Sequence, residues 1–202
     1  LQYALADRHA EAMRLIALRA LIEWQAPPLL DRVEGNRRQL PADSRQIERA
    51  ALASGLAKLA ADASGNIRAA ALVAAREHNM KLPIEVLKEL AIKSDNGAAT
   101  RLEALNSTVL HLTQDEPVST ADISEIFDIA VAADLPSLQS RGLELLCEHF
   151  PQRGASRLQA VLQADSPLAV KQTAVGLLAR LPDRAGAELL TQLVQQWVAG
   201  QL

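Results

Sequence analysis

The sequence predicts an all-α fold, an α–α superhelix of about five stacked helical pairs. Three observations predict it. The apolar share is 49%, yet it is overwhelmingly Ala and Leu, with two Trp, one Tyr and two Phe among 202 residues. That composition suits closely packed helices better than the β-branched and aromatic mixture of sheets, so no sheet is expected. Similar segments recur at roughly 30 to 40 residues, the period of stacked helical pairs. Within them, apolar residues follow helical spacing.

Five segments lie over one another: DRHAEAMRLIALRAL, DASGNIRAAALVAA, DNGAATRLEALNST, DLPSLQSRGLELL and DSPLAVKQTAVGLL. Asp7, Asp62, Asp95, Asp134 and Asp165 open them. A long polar residue follows after a short turn (Arg14, Arg68, Arg101, Gln139, Lys171), and a small residue stands three positions further on. The small residues, Ala17, Ala71, Ala104, Gly142 and Ala174, are spaced by 54, 33, 38 and 32 residues. A small side chain lets neighbouring helix backbones approach, and a turn aspartate accepts from the free N–H groups at a helix start. Both roles are structural.

Each element has its own signal. Met13, Ile16, Ala17, Ala20, Leu21 and Trp24 form an apolar stripe, predicted to face inward. First helices of the pairs are expected at 45–61, 83–93, 120–132 and 154–163. Pro83 suits a first turn, and Ser119, three residues before Asp122, is a capping signal. Ile123, Ile126, Phe127 and Ala130 form a second stripe. A final helix at 184–198 follows Pro182, with Leu190, Leu193, Val194 and Trp197 on one face; its partner helix is absent or lies beyond Leu202. The start, LQYALADRHAEAMR, has neither an initiator Met nor a signal-peptide layout and opens in mid-pattern. The chain therefore reads as a fragment of a larger protein, one repeat domain over 1–202 with a loop insertion at about 25–45.

The pairings Asp62 with Arg68, Asp95 with Arg101 and Asp165 with Lys171 resemble HEAT repeats, a class close to armadillo repeats, across nearly the whole chain. The resemblance implies a HEAT/armadillo-like solenoid in which aspartates and basic residues form a ladder between adjacent repeats. Gln139 departs from the pattern because it carries no charge, which predicts a weaker rung there.

The long first interval, WQAPPLLDRVEGNRRQLPADSR, inserts residues between otherwise regular helices. Pro27, Pro28, Gly35 and Pro41 break helix continuation, while Arg32, Arg37, Arg38 and Arg45 make it locally basic. Loops of this length are commonly functional. Two readings stay open. Trp24, Leu29, Leu30 and Val33 fold the loop back as a cap with the arginines solvated, or the loop docks on another domain or an anionic group. On the second reading Trp24, Arg32, Arg37 and Arg38 are the interaction candidates.

The segment ALRALIEWQAPPLLDRVEGNRR also resembles the HEAT-repeat part of large membrane-bound dehydrogenases of planctomycete-type bacteria. In those proteins a β-propeller resembling sugar dehydrogenases precedes the repeats and a c-type haem domain follows. This resemblance implies a spacer within a larger exported dehydrogenase-like protein, placed in the periplasm or cell envelope. None of the catalytic or haem-ligating residues of such a parent is carried over to this chain.

A direct search for chemistry points the same way. Covalent c-type haem needs C-x-x-C-H, and the chain has CEH at 147–149 with one cysteine. Cys147 reads as a buried small apolar residue, with His149 at a helix end. His9, His78, His111 and His149 share no i, i+4 spacing and read as surface or repeat-junction residues rather than metal ligands. Glu125 with Asp128 reads as a solvated helix face, since paired-carboxylate catalysis needs opposed, enclosed groups. No Walker A or dinucleotide fingerprint is present. No catalytic, cofactor-binding or metal residue is assigned, and the fragment is read as no enzyme.

The net charge of −3 disfavours nucleic acid. No apolar run approaches the roughly 20 residues of a membrane span, so direct membrane insertion is not expected. The expected function is a non-catalytic scaffold or interaction module whose partners are other domains of the parent chain or another protein. The alternatives are a small-molecule or cofactor-handling HEAT enzyme resembling bilin lyases, which needs a deep pocket with convergent polar groups, and a HEAT protein resembling DNA glycosylases.

Overall fold

Alanine- and leucine-rich runs separated by Asp, Ser, Pro and Gly turns fold as helices throughout. The computed structural model describes residues 1–24, 48–112, 119–181 and 185–199. Eleven α-helices, one 3-10 turn and no strand are found among them. They are α1 (Gln2–Leu5), α2 (Glu11–Ile22), α3 (Arg49–Ala60), α4 (Gly65–Glu77), α5 (Ile84–Ile92), α6 (Ala98–Thr108), α7 (Thr120–Val131), α8 (Pro136–His149), α9 (Pro151–Gln163), α10 (Leu168–Leu178) and α11 (Ala185–Val198). Packing divides the chain into two compact units, Leu1–Leu90 with Asp95–Glu116 and Ala91–Ser94 with Pro117–Leu202.

In the first unit α3 pairs with α4, α2 stacks on α4, and α4 stacks on α6. Leu18, Leu52, Leu56, Leu59, Ile67 and Leu72 are fully buried between them. Each such side chain contributes about 2 kcal/mol by leaving water. The turn before α4 is fixed locally. Asp62 Oδ1 accepts from Ser64 N–H at 2.9 Å, and Ser64 caps the helix by accepting from Ile67 N–H at 3.4 Å. The far end of α4 closes as a Schellman motif. Met80 N–H donates to the Ala75 carbonyl at 2.8 Å and Asn79 N–H to that of Arg76 at 2.9 Å, with Asn79 in the left-handed region at φ 52°. Asparagine tolerates that conformation better than branched residues do.

In the second unit α7 pairs with α8 and α9 with α10; α8 packs on α9 and stacks on α10, and α11 packs on α9 and α10. Ile123, Ile126, Phe127 and Ala130 are all buried, with Leu138, Leu143, Leu145 and Leu146 opposite them on α8. Two glycines set the spacing. A Cβ on Gly142 would lie 2.9 Å from the Phe127 carbonyl oxygen, and one on Gly154 would lie 2.8 Å from Cys147 Cα. Only a residue without a side chain lets the backbones meet there. Phe127 and Phe150 pack edge to face with ring centroids 6.0 Å apart.

Several expectations need correction. Met13, Ile16 and Trp24 are exposed, and the inward face of α2 is Arg14, Leu18 and Leu21. On an alanine-rich helix the apolar pattern is nearly continuous around the axis, so a buried arginine decides which face turns inward. The helix expected at 154–163 starts at Pro151, because proline fits the first helical position, where no N–H is needed. Pro83 stands just before α5, its carbonyl accepting from Leu87 N–H at 3.2 Å. Leu190 and Val194 on the final helix are exposed; the Trp197 side chain lies outside the described ones.

Candidate interaction surface

The sequence assigned interaction to Trp24, Arg32, Arg37 and Arg38. Residues 25–47, and with them the three arginines, lie outside the described residues. Trp24 is placed. It follows the end of α2, its N–H donating to the Leu21 carbonyl at 3.1 Å, and its side chain is 46% exposed. Beside it a groove of about 460 Å³ runs between the end of α2 and the start of α3. Ala17, Ala20 and Ala51 leave the space, Leu21 and Leu52 floor it, and Glu48 supplies the carboxylate at its rim. Such a lining can take an apolar side chain and lacks the converging polar groups that orient a reacting small molecule. An exposed indole next to a groove is also the type of anchor that interfaces favour.

Several polar groups of the described residues join helices. Arg14, 7% exposed, donates from Nε to the Ala4 carbonyl at 2.7 Å and pairs through Nη2 with Asp62 in the turn before α4. The pair ties α2 to that turn. Arg68 instead donates to the carbonyls of Asp62 at 2.7 Å and Ala63 at 3.0 Å, leaving Asp95 exposed. Gln139 repeats that local bond, donating at 2.7 Å to the carbonyl of Ala133, six residues back, as Arg68 does to Asp62. The uncharged residue thus keeps the backbone anchor while lacking a charge.

Asp128 was read as part of a solvated face and is not. It is buried, and Arg153 and Arg157 of α9 both pair with it, Arg157 Nε at 2.6 Å. Arg153 also donates to Ser124 Oγ at 2.6 Å. The sequence carries a signal for this cluster. Ser124 and Asp128 stand at i, i+4 on α7, Arg153 and Arg157 at i, i+4 on α9, and both pairings span 29 residues.

His78 and His111 are buried at repeat junctions. His78 Nε2 lies 2.8 Å from the Leu21 carbonyl oxygen, and His111 Nε2 lies 2.9 Å from that of Leu82. They follow Ala71 and Ala104 by seven positions, and His149 follows Gly142 likewise, closing α8 with Nε2 3.8 Å from Glu148. Three of the four histidines therefore obey the repeat, which their spacing could have revealed. His9 stacks on Tyr3 with centroids 3.8 Å apart.

Cys147 is buried beneath Gly154, and burial pushes its thiol from the ordinary 9.0 up to about 11. It is held as the neutral thiol, the unreactive form. No group of three or more His, Cys, Asp or Glu suited to a metal ion occurs among the described residues. No described helix is long and apolar enough to cross a membrane. No protein-family model, curated protein or solved structure matches the chain.

Proposed function

We propose that the chain is a HEAT/armadillo-like α-solenoid acting as a non-catalytic scaffold or interaction module, a spacer within a larger exported dehydrogenase-like protein. One observation carries the reading: corresponding helices of successive pairs stack on one another, α2 on α4 and α4 on α6 in one unit, α8 on α10 in the other. Stacking of like on like buries the core between neighbours and leaves an extended surface free for partners. The buried aspartate pairs, Arg14 with Asp62 and Asp128 with Arg153 and Arg157, hold helices together. The Trp24 groove is the contact point on this reading, and the basic loop after it supplies charge.

Two measurements test it. A compact domain of this length has a radius of gyration of about 17 Å, whereas a solenoid scatters as a longer particle. A value at the compact figure would remove the solenoid. Calorimetric titration against separately produced domains of the parent, at two salt concentrations, tests docking. Salt-sensitive binding lost in an Arg32→Ala, Arg37→Ala, Arg38→Ala variant is expected; absence of binding at both salts would leave a passive spacer and remove the docking role.

A further inference from the structure

Asn96 and Gly97 stand in the turn between α5 and α6. The chain has five asparagines, and Asn96 is the one followed by glycine. That dipeptide favours a reaction within the backbone. The nitrogen after an asparagine is held close to the side-chain carboxamide, and glycine puts no side chain in the way of attack. The turn gives the two reacting groups opposite surroundings. Gly97 is exposed, a Cβ on it would meet nothing within 4 Å, and its N–H donates to no described residue. The nucleophile is free, and water reaches it.

The carboxamide is restrained. Asn96 is buried, and its Nδ2 donates to the Leu90 carbonyl at 3.1 Å. Leu90 lies in the last turn of α5, where carbonyls lack an intrahelical partner. One bond from across the turn therefore closes α5 and holds the carboxamide. Loss of Nδ2 breaks that bond.

We propose that Asn96–Gly97 is a self-modification site, deamidating at a rate set by opening of the α5–α6 turn and loosening that turn once modified. The Gly97 nitrogen gives up its proton and bonds to Asn96 Cγ; the Cγ–Nδ2 bond breaks, and Nδ2 takes the proton and leaves as ammonia. The succinimide ring then takes up one water. Opening at Cγ yields aspartate, whereas opening at the backbone carbonyl yields isoaspartate, with the chain running through Cγ. Nothing is oxidised or reduced. Either product puts a carboxylate, which cannot donate to Leu90, in place of the amide. The new charge also precedes the N-terminus of α6, which favours it, but that gain is smaller than the loss of a buried hydrogen bond. The inference rests on turn chemistry and stands whatever the surface binds.

The 202-residue chain is incubated in mildly alkaline buffer, with and without urea, and followed by peptide mass mapping and isoaspartate-specific enzymatic methylation. In urea, modification is expected at Asn96 ahead of the other asparagines. In buffer it should still accumulate at Asn96, but at least about tenfold more slowly, because opening must come first. Gly97→Ala, whose methyl group has room at φ −60°, should slow the reaction in urea about tenfold by hindering the attacking nitrogen. Asn96→Asp makes the aspartate product directly. It should speed hydrogen exchange in the last turn of α5 and the first turn of α6 by at least about fivefold and leave α3 and α4 unchanged. The deamidated fraction of the parent chain should show the same change, which covers the case in which Asn96→Asp fails to fold. Equal rates at Asn96 with and without urea would overturn the proposal. So would faster modification of another asparagine in urea, no product at Asn96 after several weeks in buffer, or parental exchange in the deamidated fraction.

Discussion

Arg14 reaches Asp62 across 48 residues of sequence, joining α2 to the turn that starts α4. The contact links a basic residue of α2 to an aspartate in the turn before α4, and it is formed where the guanidinium is almost wholly buried. Both partners are oriented by further bonds, Arg14 Nε to the Ala4 carbonyl at 2.7 Å and Asp62 Oδ1 to Ser64 N–H at 2.9 Å. Stacking of α2 on α4 therefore depends on a polar tie as well as on leucine packing.

Arg14→Met tests that tie. The substitution keeps an unbranched apolar side chain in place but strands the Asp62 carboxylate and the Ala4 carbonyl, for a cost of about 2–3 kcal/mol. Asp62→Asn should cost less, since the amide oxygen can still accept from Ser64 N–H. Urea denaturation followed by circular dichroism measures both. Equal costs would mean that the charge pair matters less than the hydrogen bonds around it.

Glycine substitutions separate close approach from helix propensity. Gly142→Ala places a methyl group 2.9 Å from the Phe127 carbonyl and 3.0 Å from Val131 N, atoms that move only with the α7 backbone. A loss of about 1–3 kcal/mol is expected. Gly176→Ala on α10 meets nothing within 4 Å and should stabilise by about 0.5–1 kcal/mol through helix propensity. If both changes raise the thermal midpoint, the α7–α8 contact is looser than described.

The all-α character and most helix positions were legible because they depend on local pattern: composition, Pro and Ser at helix starts, and the Ile123, Ile126, Phe127 and Ala130 stripe. The facing of α2 was not legible. Met13 and Ile16 are the more apolar residues, yet Arg14 turns inward because its partners, Ala4 and Asp62, come from elsewhere in the chain. The burial of Asp128 was hidden for the same reason, its cations lying 25 and 29 residues away. Of the four interaction candidates Trp24 is placed at a groove, while the arginines fall in 25–47, outside the described residues.

Cys147 sets an alkaline limit. Its folded value of about 11 lies above the ordinary 9.0 because burial disfavours the thiolate. Between these values the unfolded chain releases a proton that the folded chain keeps. The stabilisation is fully present below pH 9 and is lost as pH rises through about 11, by on the order of 2 kcal/mol. Cys147→Ala should flatten that part of the stability profile. Native protein at pH 8 should also react with a thiol reagent at the rate of its opening, whereas prompt labelling would place the sulfur in contact with solvent.

Removal of the two sides of the Asp128 cluster should have unequal effects. The carboxylate side chain is 7% exposed, while those of Arg153 and Arg157 are 47% and 45% exposed. In Asp128→Leu the arginines swing into water and an apolar side chain fills the buried position, so the cost should be about 1 kcal/mol or less. In the double variant Arg153→Met, Arg157→Met the carboxylate stays buried without a counter-charge, and the cost should be about 3 kcal/mol. Adding Asp128→Leu to that double variant should restore most of the loss, since the stranded charge is then gone. Urea midpoints of the three variants decide the matter. A triple variant no more stable than the double would show that the arginines act through packing of their stems against α7 rather than through their charge.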